Sequence, residues 1–194
     1  LNNDEAAKKE IKYSLYKFAL GGIHDQVEGG FARYCVDEKW NIPHFEKMLY
    51  DNAQIIRLYS EAYGYFKNDF YKTIVEKTIT FIDENLNNGN NLFYASLDAD
   101  SEGEEGKYYT ETYPVLKNIL TEKFELFSAY FNVTLGGNWR EKNTNILYAN
   151  NTIEAFAKEQ NLDLSNTEII LKNALYEIKK HRKSKPKPNI DTKI

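Results

Sequence analysis

Hydrophobic residues recur at every third or fourth position through most of the chain, a spacing typical of amphipathic helices. The first stripe consists of Ala7, Ile11, Leu15 and Phe18. It predicts a helix over about 5–20, closed by the Gly21–Gly22 pair, because glycine readily takes the left-handed conformation found at helix ends. Two further stripes, over 45–63 and 70–86, predict two long helices. So short a connection between them favours an antiparallel αα-hairpin.

The pattern changes over about 87–111, where Asn and Gly clusters surround two short apolar runs at 92–95 and 107–110. These runs favour a small β-ribbon. Helical spacing then returns, and the Ser-Asn-Thr-Glu sequence at 165–168 matches a capping box before the last helix. The sequence therefore predicts an all-α fold of antiparallel helical hairpins with a small β-ribbon in a long loop.

Composition fits a single domain over 1–194, since 42% of the residues are hydrophobic and 28% are charged. No stretch approaches the roughly 18 apolar residues of a membrane span, and the N-terminal region has no signal-peptide pattern. We expect a cytoplasmic protein that does not bind membranes. The lone Cys35 excludes an internal disulfide and fits a reducing compartment.

The net charge of −4 is too balanced for a broadly basic surface, so we expect no nucleic-acid partner. The basic run at 179–187 lacks interleaved aromatic residues, and we interpret it as a solvated helix end. The chain begins with Leu1 and has Met48 as its one methionine, so we expect a piece of a longer protein.

Candidate chemistry is concentrated in two segments, of which the first is the glycine-rich segment, defined here as 21–34. It has four glycines within its first ten residues, and a long loop follows before the second helix. Such a loop favours a cavity lining over a plain linker. Because neither the dinucleotide fingerprint nor the P-loop spacing is present, we do not expect a nucleotide or any other cofactor.

His44 follows Pro43 at the start of the predicted second helix. On that helix His44, Lys47 and Asp51 would share one side of the first turns. The helix N-terminus would disfavour the charged imidazole and leave a neutral base. The alternative is a histidine that caps the helix or bonds to the preceding loop.

The second segment, here called the acidic segment, spans 98–105 and has five carboxylates. Asp98, Asp100 and Glu102 fit the first positions of a calcium loop, but Tyr109 stands where its bidentate ligand should be, so we predict no metal site. The open alternatives are carboxylates that bind sugar hydroxyls, carboxylates that act as acid and base, and a solvated loop.

Three stretches carry a family resemblance: GGIHDQVEGGFARYCVDEKWNIPHFEKMLYDNA (21–53), LFYASLDADSEGEEGKYY (92–109) and KPKPNIDTK (185–193). They resemble large proteins that join an N-terminal thioredoxin-like domain to a helical toroid, the spermatogenesis-associated protein 20-like family. The resemblance implies that the chain is about half of an (α/α)6 toroid, related to N-acylglucosamine 2-epimerases and six-hairpin glycosidases. The family usually has Gly at 28 and often His at 32, where this chain has Glu28 and Ala32.

The resemblance implies sugar chemistry with His44 as the base and with Arg33, Tyr34 and Asp37 positioning the substrate. Asp98 and Asp100 would bind hydroxyls. In a glycosidase-like variant, Glu46 would pair with Asp98 or Asp100. The further substrate-binding candidates are Asp25, Trp40, Lys47, Asp51, Glu102 and Tyr108.

The alternative function is a non-catalytic toroid that docks an adjacent thioredoxin-like domain. The partners that we expect are a small-molecule sugar and, because a half toroid leaves apolar helix faces uncovered, a second copy of the chain.

Overall fold

A computed structural model describes residues 4–90 and 92–193, and about half of them are helical. The helices are α1 (Glu5–Leu20), α2 (Leu49–Phe66), α3 (Asp69–Asn85), α4 (Tyr113–Leu120), α5 (Phe124–Tyr130), α6 (Ile153–Glu159) and α7 (Leu164–Arg182). The strands are β1 (Lys47–Met48), β2 (Ser96–Leu97), β3 (Asp100–Ser101), β4 (Glu104–Glu105) and β5 (Ile190–Asp191). The expectation of a mostly helical fold with a few small antiparallel strands is confirmed. Within the described ranges, no helix combines the length and the apolar character needed to cross a membrane.

The first three helices form where local periodicity predicts them. Asp4 caps α1, because its carboxylate accepts the amide of Ala7 at 3.0 Å. Lys67, in the left-handed conformation, ends α2, and Asn68 caps α3. The two helices pack as the expected αα-hairpin, with Tyr59 and Tyr71 fully buried between them and α1.

The second apolar cluster holds α4, α5, α6 and α7 together. Its largest fully buried members are Leu116, Leu120, Phe124, Phe127 and Leu171. The helix caps differ from the expected ones. Thr152 caps α6, and Asp163 caps α7 in place of the predicted Ser165, since the Asp163 carboxylate accepts the amide of Asn166 at 2.8 Å.

The start of α2 corrects the sequence prediction. Residues 44–48 are not helical, and their burial alternates: Phe45 and Lys47 are buried, whereas His44 and Glu46 are partly exposed. Phe45 also has a positive φ of 61°, which no helix accommodates. The predicted grouping of His44, Lys47 and Asp51 on one helix face is therefore wrong, because Lys47 and Met48 pair with β2 before the helix begins.

The predicted β-ribbon lies in a different part of its loop. Strands β3 and β4 form a hairpin inside the acidic segment, turned by Glu102 and Gly103, both at positive φ (55° and 74°). The runs at 92–95 and 107–110 are not its strands, although Phe93 makes an isolated bridge to Asn87. A second small sheet has the order β1–β2–β5 and is antiparallel throughout. It joins the approach to α2, the two residues that precede the acidic segment and the C-terminal strand.

Gly30 allows α3 to pack against the glycine-rich segment. It has φ 74°, and a Cβ there would lie 2.3 Å from the ring of Phe81, which is 2% exposed. Gly89 has a similar φ of 80° but open space around it, which makes it a matched control.

We expect Gly30→Ala to lower the free energy of unfolding by roughly 2–5 kcal/mol, because left-handed strain and overpacking add. Gly89→Ala should lower it by about 1–2 kcal/mol, since only the strain applies. Urea denaturation of the two variants measures the difference. Equal losses would contradict the proposed steric role of Gly30.

Candidate active site

Residues 44–47, which follow the glycine-rich segment, meet the acidic segment and its flanks in the fold, although they are far apart in the sequence. Lys47 and Leu97 are register partners in the β1–β2 pair. The ring of Phe45 stacks on Tyr109 at 5.4 Å between centroids, with 15° between the planes. The loop and strand that follow the glycine-rich segment therefore lie against the acidic segment and its flanks, and the His44–Glu105 pair joins them.

His44 donates a hydrogen bond from Nδ1 to Oε1 of Glu105 at 2.8 Å. Both side chains are partly open to solvent, at 36% and 38% exposure. The ring of Tyr34 stacks on the imidazole at 4.8 Å and 16°, and the His44 amide donates to the Tyr34 carbonyl at 3.0 Å. Among the residues that the structure describes, no group hydrogen-bonds Nε2. In the neutral ring Nε2 is then the basic nitrogen, and its orientation is set by Glu105.

Other predicted residues surround this pair. Arg33 lies 3.5 Å from the carboxylate of Glu46, and its guanidinium lies over the ring of Tyr50 at 5.9 Å. In the first turns of α2, Oδ2 of Asp51 is buried and has no hydrogen-bond partner within the described part of the chain. Burial raises the pKa of Asp51, which Arg33 opposes and Glu46 reinforces. The structure thus brings His44, Arg33, Glu46 and Asp51 into one region.

Two predicted substrate-binding residues, Asp37 and Trp40, make structural contacts around their own loop. The carboxylate of Asp37 accepts the backbone amides of Lys39, Asn41 and Ile42, the shortest at 2.7 Å. Trp40 takes a φ of 60° and packs edge-on against the ring of Phe18 at 5.3 Å. Both side chains shape the turn that precedes His44.

The remaining carboxylates of the acidic segment lie on an exposed hairpin. Oδ1 of Asp98 accepts the amide of Asp100 at 3.3 Å, and Glu102 pairs with Lys107 at 3.0 Å. Asp100 is exposed and stands opposite Glu105 in the β3–β4 register. Over residues 4–90 and 92–193, no three His, Cys, Asp or Glu side chains are grouped so as to hold a metal ion.

A buried ion network, defined here as Asp25, Glu28, Lys47 and Arg182, lies beneath this face. Lys47 donates to Asp25 at 2.9 Å, and Arg182 donates to both oxygens of Asp25 at 2.9 and 2.8 Å. Arg182 also reaches Glu28 at 3.3 Å and the carbonyl of Tyr109 at 3.0 Å. Lys47 is 2% exposed and Arg182 is 3% exposed.

This network changes two sequence interpretations. Asp25, Lys47 and Tyr108 do not lie on the open face. The side chains of Asp25 and Lys47 are 7% and 3% exposed and bond to each other, and the hydroxyl of the buried Tyr108 lies 3.5 Å from Glu28. The solvated interpretation of 179–187 is wrong at Arg182, whose buried guanidinium binds a residue 157 positions away. Its place on the apolar face of α7, in line with Leu171 and Ile178, is the signal that could have identified it.

The electrostatics of the network follow from burial and pairing. Burial alone would raise the pKa of Asp25, but Arg182 and Lys47 hold it below its ordinary value. Burial lowers the pKa of Lys47, against the effect of Asp25. Beside the network, His24 is 1% exposed and donates from Nδ1 to the carbonyl of Ala19 at 2.9 Å. Burial lowers the pKa of His24 to about 3, so the ring is neutral.

Comparison with known proteins gives relatives for nearly the whole chain. No protein-family model matches it. It is 30% identical to spermatogenesis-associated protein 20 of Homo sapiens and 29% identical to that of Mus musculus, each over 97% of this chain. An uncharacterized protein of Caenorhabditis elegans is 30% identical over 100% of the chain. The chain spans only 27 to 30% of the length of these relatives. The resemblance to proteins of that name is confirmed, and the names state no activity.

We expect Asp25→Asn to lower the free energy of unfolding by roughly 3–5 kcal/mol, because Lys47 and Arg182 would stay buried without their shared counter-charge. Glu61→Gln is the control, since Glu61 pairs with Arg57 on the surface of α2, where such a pair contributes at most about 0.5 kcal/mol. Urea denaturation at neutral pH measures both. A loss below about 1 kcal/mol for Asp25→Asn would show that the network does not stabilise the fold as argued.

His24 should make the protein acid-sensitive well above the range in which carboxylates titrate. Its pKa is about 3 when folded and near 6.5 when unfolded, so the unfolded state binds more protons between these values. Stability contributed by the neutral ring is therefore complete above about pH 6.5 and is lost as the pH falls, by about 1.4 kcal/mol per pH unit. His24→Asn should remove that part of the slope in denaturation curves between about pH 6 and 4. Identical slopes in the two proteins would contradict the assignment.

Proposed function

We propose that the chain binds a small, hydroxyl-rich molecule of the sugar class, and that His44 is the general base of an epimerase- or isomerase-like reaction. The observation that carries the proposal is the 2.8 Å hydrogen bond from His44 Nδ1 to Glu105 Oε1. Because this bond keeps the proton on Nδ1, Nε2 is left as the nitrogen that can take a proton. The partial exposure of the ring leaves it within reach of a substrate.

The proposed step is proton abstraction. Nε2 of His44 removes the proton α to the carbonyl of an opened sugar, and the negative charge that develops on the carbonyl oxygen needs a cationic or hydrogen-bonding neighbour. Arg33 is the proposed cationic neighbour, because its guanidinium is 48% exposed and lies beside Glu46. Tyr34 keeps the imidazole in plane by stacking, and Asp98 and Asp100 are the proposed contacts for sugar hydroxyls.

A glycosidase-like variant of the same proposal uses carboxylates alone. Glu46 would pair with Asp98 or Asp100 as acid and base. The 3.5 Å ion pair between Glu46 and Arg33 weakens this variant, because the Glu46 carboxylate already has a partner.

We also infer that the helical hairpins form about half of an (α/α)6 toroid within a single domain. The antiparallel α2–α3 hairpin and the packing of α4, α5 and α6 on α7 support this architecture. The free thiol of Cys35 accords with a reducing, cytoplasmic location.

A docking function is the second candidate, and exposed side chains near His44 favour it. Tyr34, Val36 and Tyr50 are 47%, 69% and 47% exposed. Apolar groups at this density on one face suit a protein partner such as a thioredoxin-like domain. On this alternative, His44 and Glu105 only hold the loop in place.

The test measures the incorporation of solvent deuterium into glucose, mannose, N-acetylglucosamine and cellobiose, by proton NMR in deuterium oxide. We expect deuterium to enter at the carbon next to the carbonyl. In His44→Gln the exchange rate should fall at least about 100-fold, the usual contribution of a general base. Glu105→Gln should lower it less, because the histidine remains but its tautomer is no longer fixed.

Glu61→Gln is again the control and should exchange at the wild-type rate. Absence of exchange with every sugar, or an equal rate in His44→Gln, would overturn the proposed base. If a thioredoxin-like protein then binds and Val36→Ser weakens that binding, the docking function replaces the catalytic one.

A further inference from the structure

A cleft of about 280 Å³ lies beside the β3–β4 hairpin, and Glu105 separates it from His44. Three carboxylates and three ammonium groups line it: Glu104, Glu105, Glu111, Lys107, Lys142 and Lys185. Trp139, 6% exposed, supplies apolar surface at the same cleft. Few small-molecule sites are smaller than this, so the cleft suits a ligand the size of one sugar ring.

The charges of the cleft already have partners, either within the cleft or next to it. Lys142 lies 3.6 Å from Glu104, and Lys185 lies 2.7 Å from Glu111. Lys107 pairs with Glu102, and Glu105 pairs with His44. An anionic or cationic ligand would have to displace one of these partners, whereas a neutral hydroxyl can accept from an ammonium group and donate to a carboxylate without breaking the pair. The lining therefore favours a neutral, hydroxyl-rich ligand.

Thr112 adds an uncommitted hydroxyl to the lining. It precedes α4 at the capping position, yet its side chain makes no capping hydrogen bond. Threonine at this position normally accepts an amide of the first helical turn. Within the described ranges its Oγ1 has no other hydrogen-bond partner, and the residue is only half-buried. A ligand hydroxyl can hydrogen-bond to the Thr112 hydroxyl without breaking a helix-capping bond.

We propose that this cleft binds a single neutral sugar ring, held by Lys142 and Thr112, beside the His44–Glu105 pair. The inference shares the sugar class with the proposed function but goes beyond it: His44, Arg33 and Asp98 are not among the residues that line the cleft, so the cleft is a second sugar position next to the His44–Glu105 pair. The ligand is uncharged and is bound by paired ammonium and carboxylate groups, so phosphorylated and uronic acid sugars bind more weakly.

Methyl α-D-glucopyranoside and methyl α-D-mannopyranoside are the probes, because a methyl glycoside cannot open to a carbonyl and so reports binding without proton abstraction. Calorimetry and NMR titration should give a dissociation constant that rises about 3- to 10-fold in Thr112→Val, the effect of losing one neutral hydrogen bond. In Lys142→Gln it should rise at least about 10-fold, since the lost donor is charged.

Both variants should fold, because Thr112 makes no cap bond and the Lys142–Glu104 pair is partly exposed. Thr80→Val is the matched control, since Thr80 lies on the exposed side of α3 and bonds only to its own helix. Glucose 6-phosphate and glucuronate should bind at least about 10-fold more weakly than the methyl glycosides.

Three results would overturn the proposed sugar site: no binding of either glycoside, wild-type affinity in both Thr112→Val and Lys142→Gln, or tighter binding of a charged sugar. Failure of the proposed base is distinguishable. If Thr112→Val weakens glycoside binding but no deuterium exchange depends on His44, the proposed cleft site stands and the proposed base does not. If His44→Gln abolishes the exchange but neither Thr112→Val nor Lys142→Gln changes the dissociation constant of the methyl glycosides, the proposed base stands and the proposed cleft site does not.

Discussion

The contact of Arg182 and Lys47 with Asp25 is the constraint on which the rest of the structure depends. It joins the glycine-rich segment, the strand that precedes α2 and the end of α7, across as many as 157 positions of sequence. A buried charge is tolerated only with a partner in good geometry. The network therefore ties the last turn of α7 to the glycine-rich segment through Asp25 and Glu28, which together with the carbonyl of Tyr109 satisfy one buried guanidinium.

The network also determines where the chemistry can lie. Lys47 points inward and reaches Asp25. The left-handed backbone at Phe45 turns the chain just before Lys47, so that Phe45 is buried with it while His44 and Glu46 are partly exposed. His44 can then meet Glu105 at the surface because β1 pairs with β2, which leads into the β3–β4 hairpin. A buried ion pair thus positions an exposed histidine.

Local periodicity was enough to predict α1, the α2–α3 hairpin and the mostly helical fold, since those features repeat within a few residues. It failed over 45–48, where Phe45, Met48 and Leu49 match helical spacing but the buried residues alternate by two. What decides between the two patterns is the pairing of Lys47 with Leu97, a partner that no local pattern contains. The same limit hid Arg182 and Glu105, whose roles are set by residues 157 and 61 positions away.

The glycine-rich segment and the loop after it contain more residues that serve folding than residues free for chemistry. Gly30 is needed for the approach of Phe81, Asp37 for its turn and Asp25 for the ion network, so these residues have structural reasons to be present. An argument for chemistry has to rest on groups that the fold leaves unused. Nε2 of His44 and the hydroxyl of Thr112 are such groups among the described residues, and they lie on the two sides of Glu105. Because a carboxylate can accept several hydrogen bonds at once, Glu105 can orient the imidazole and face a ligand in the cleft with the same side chain.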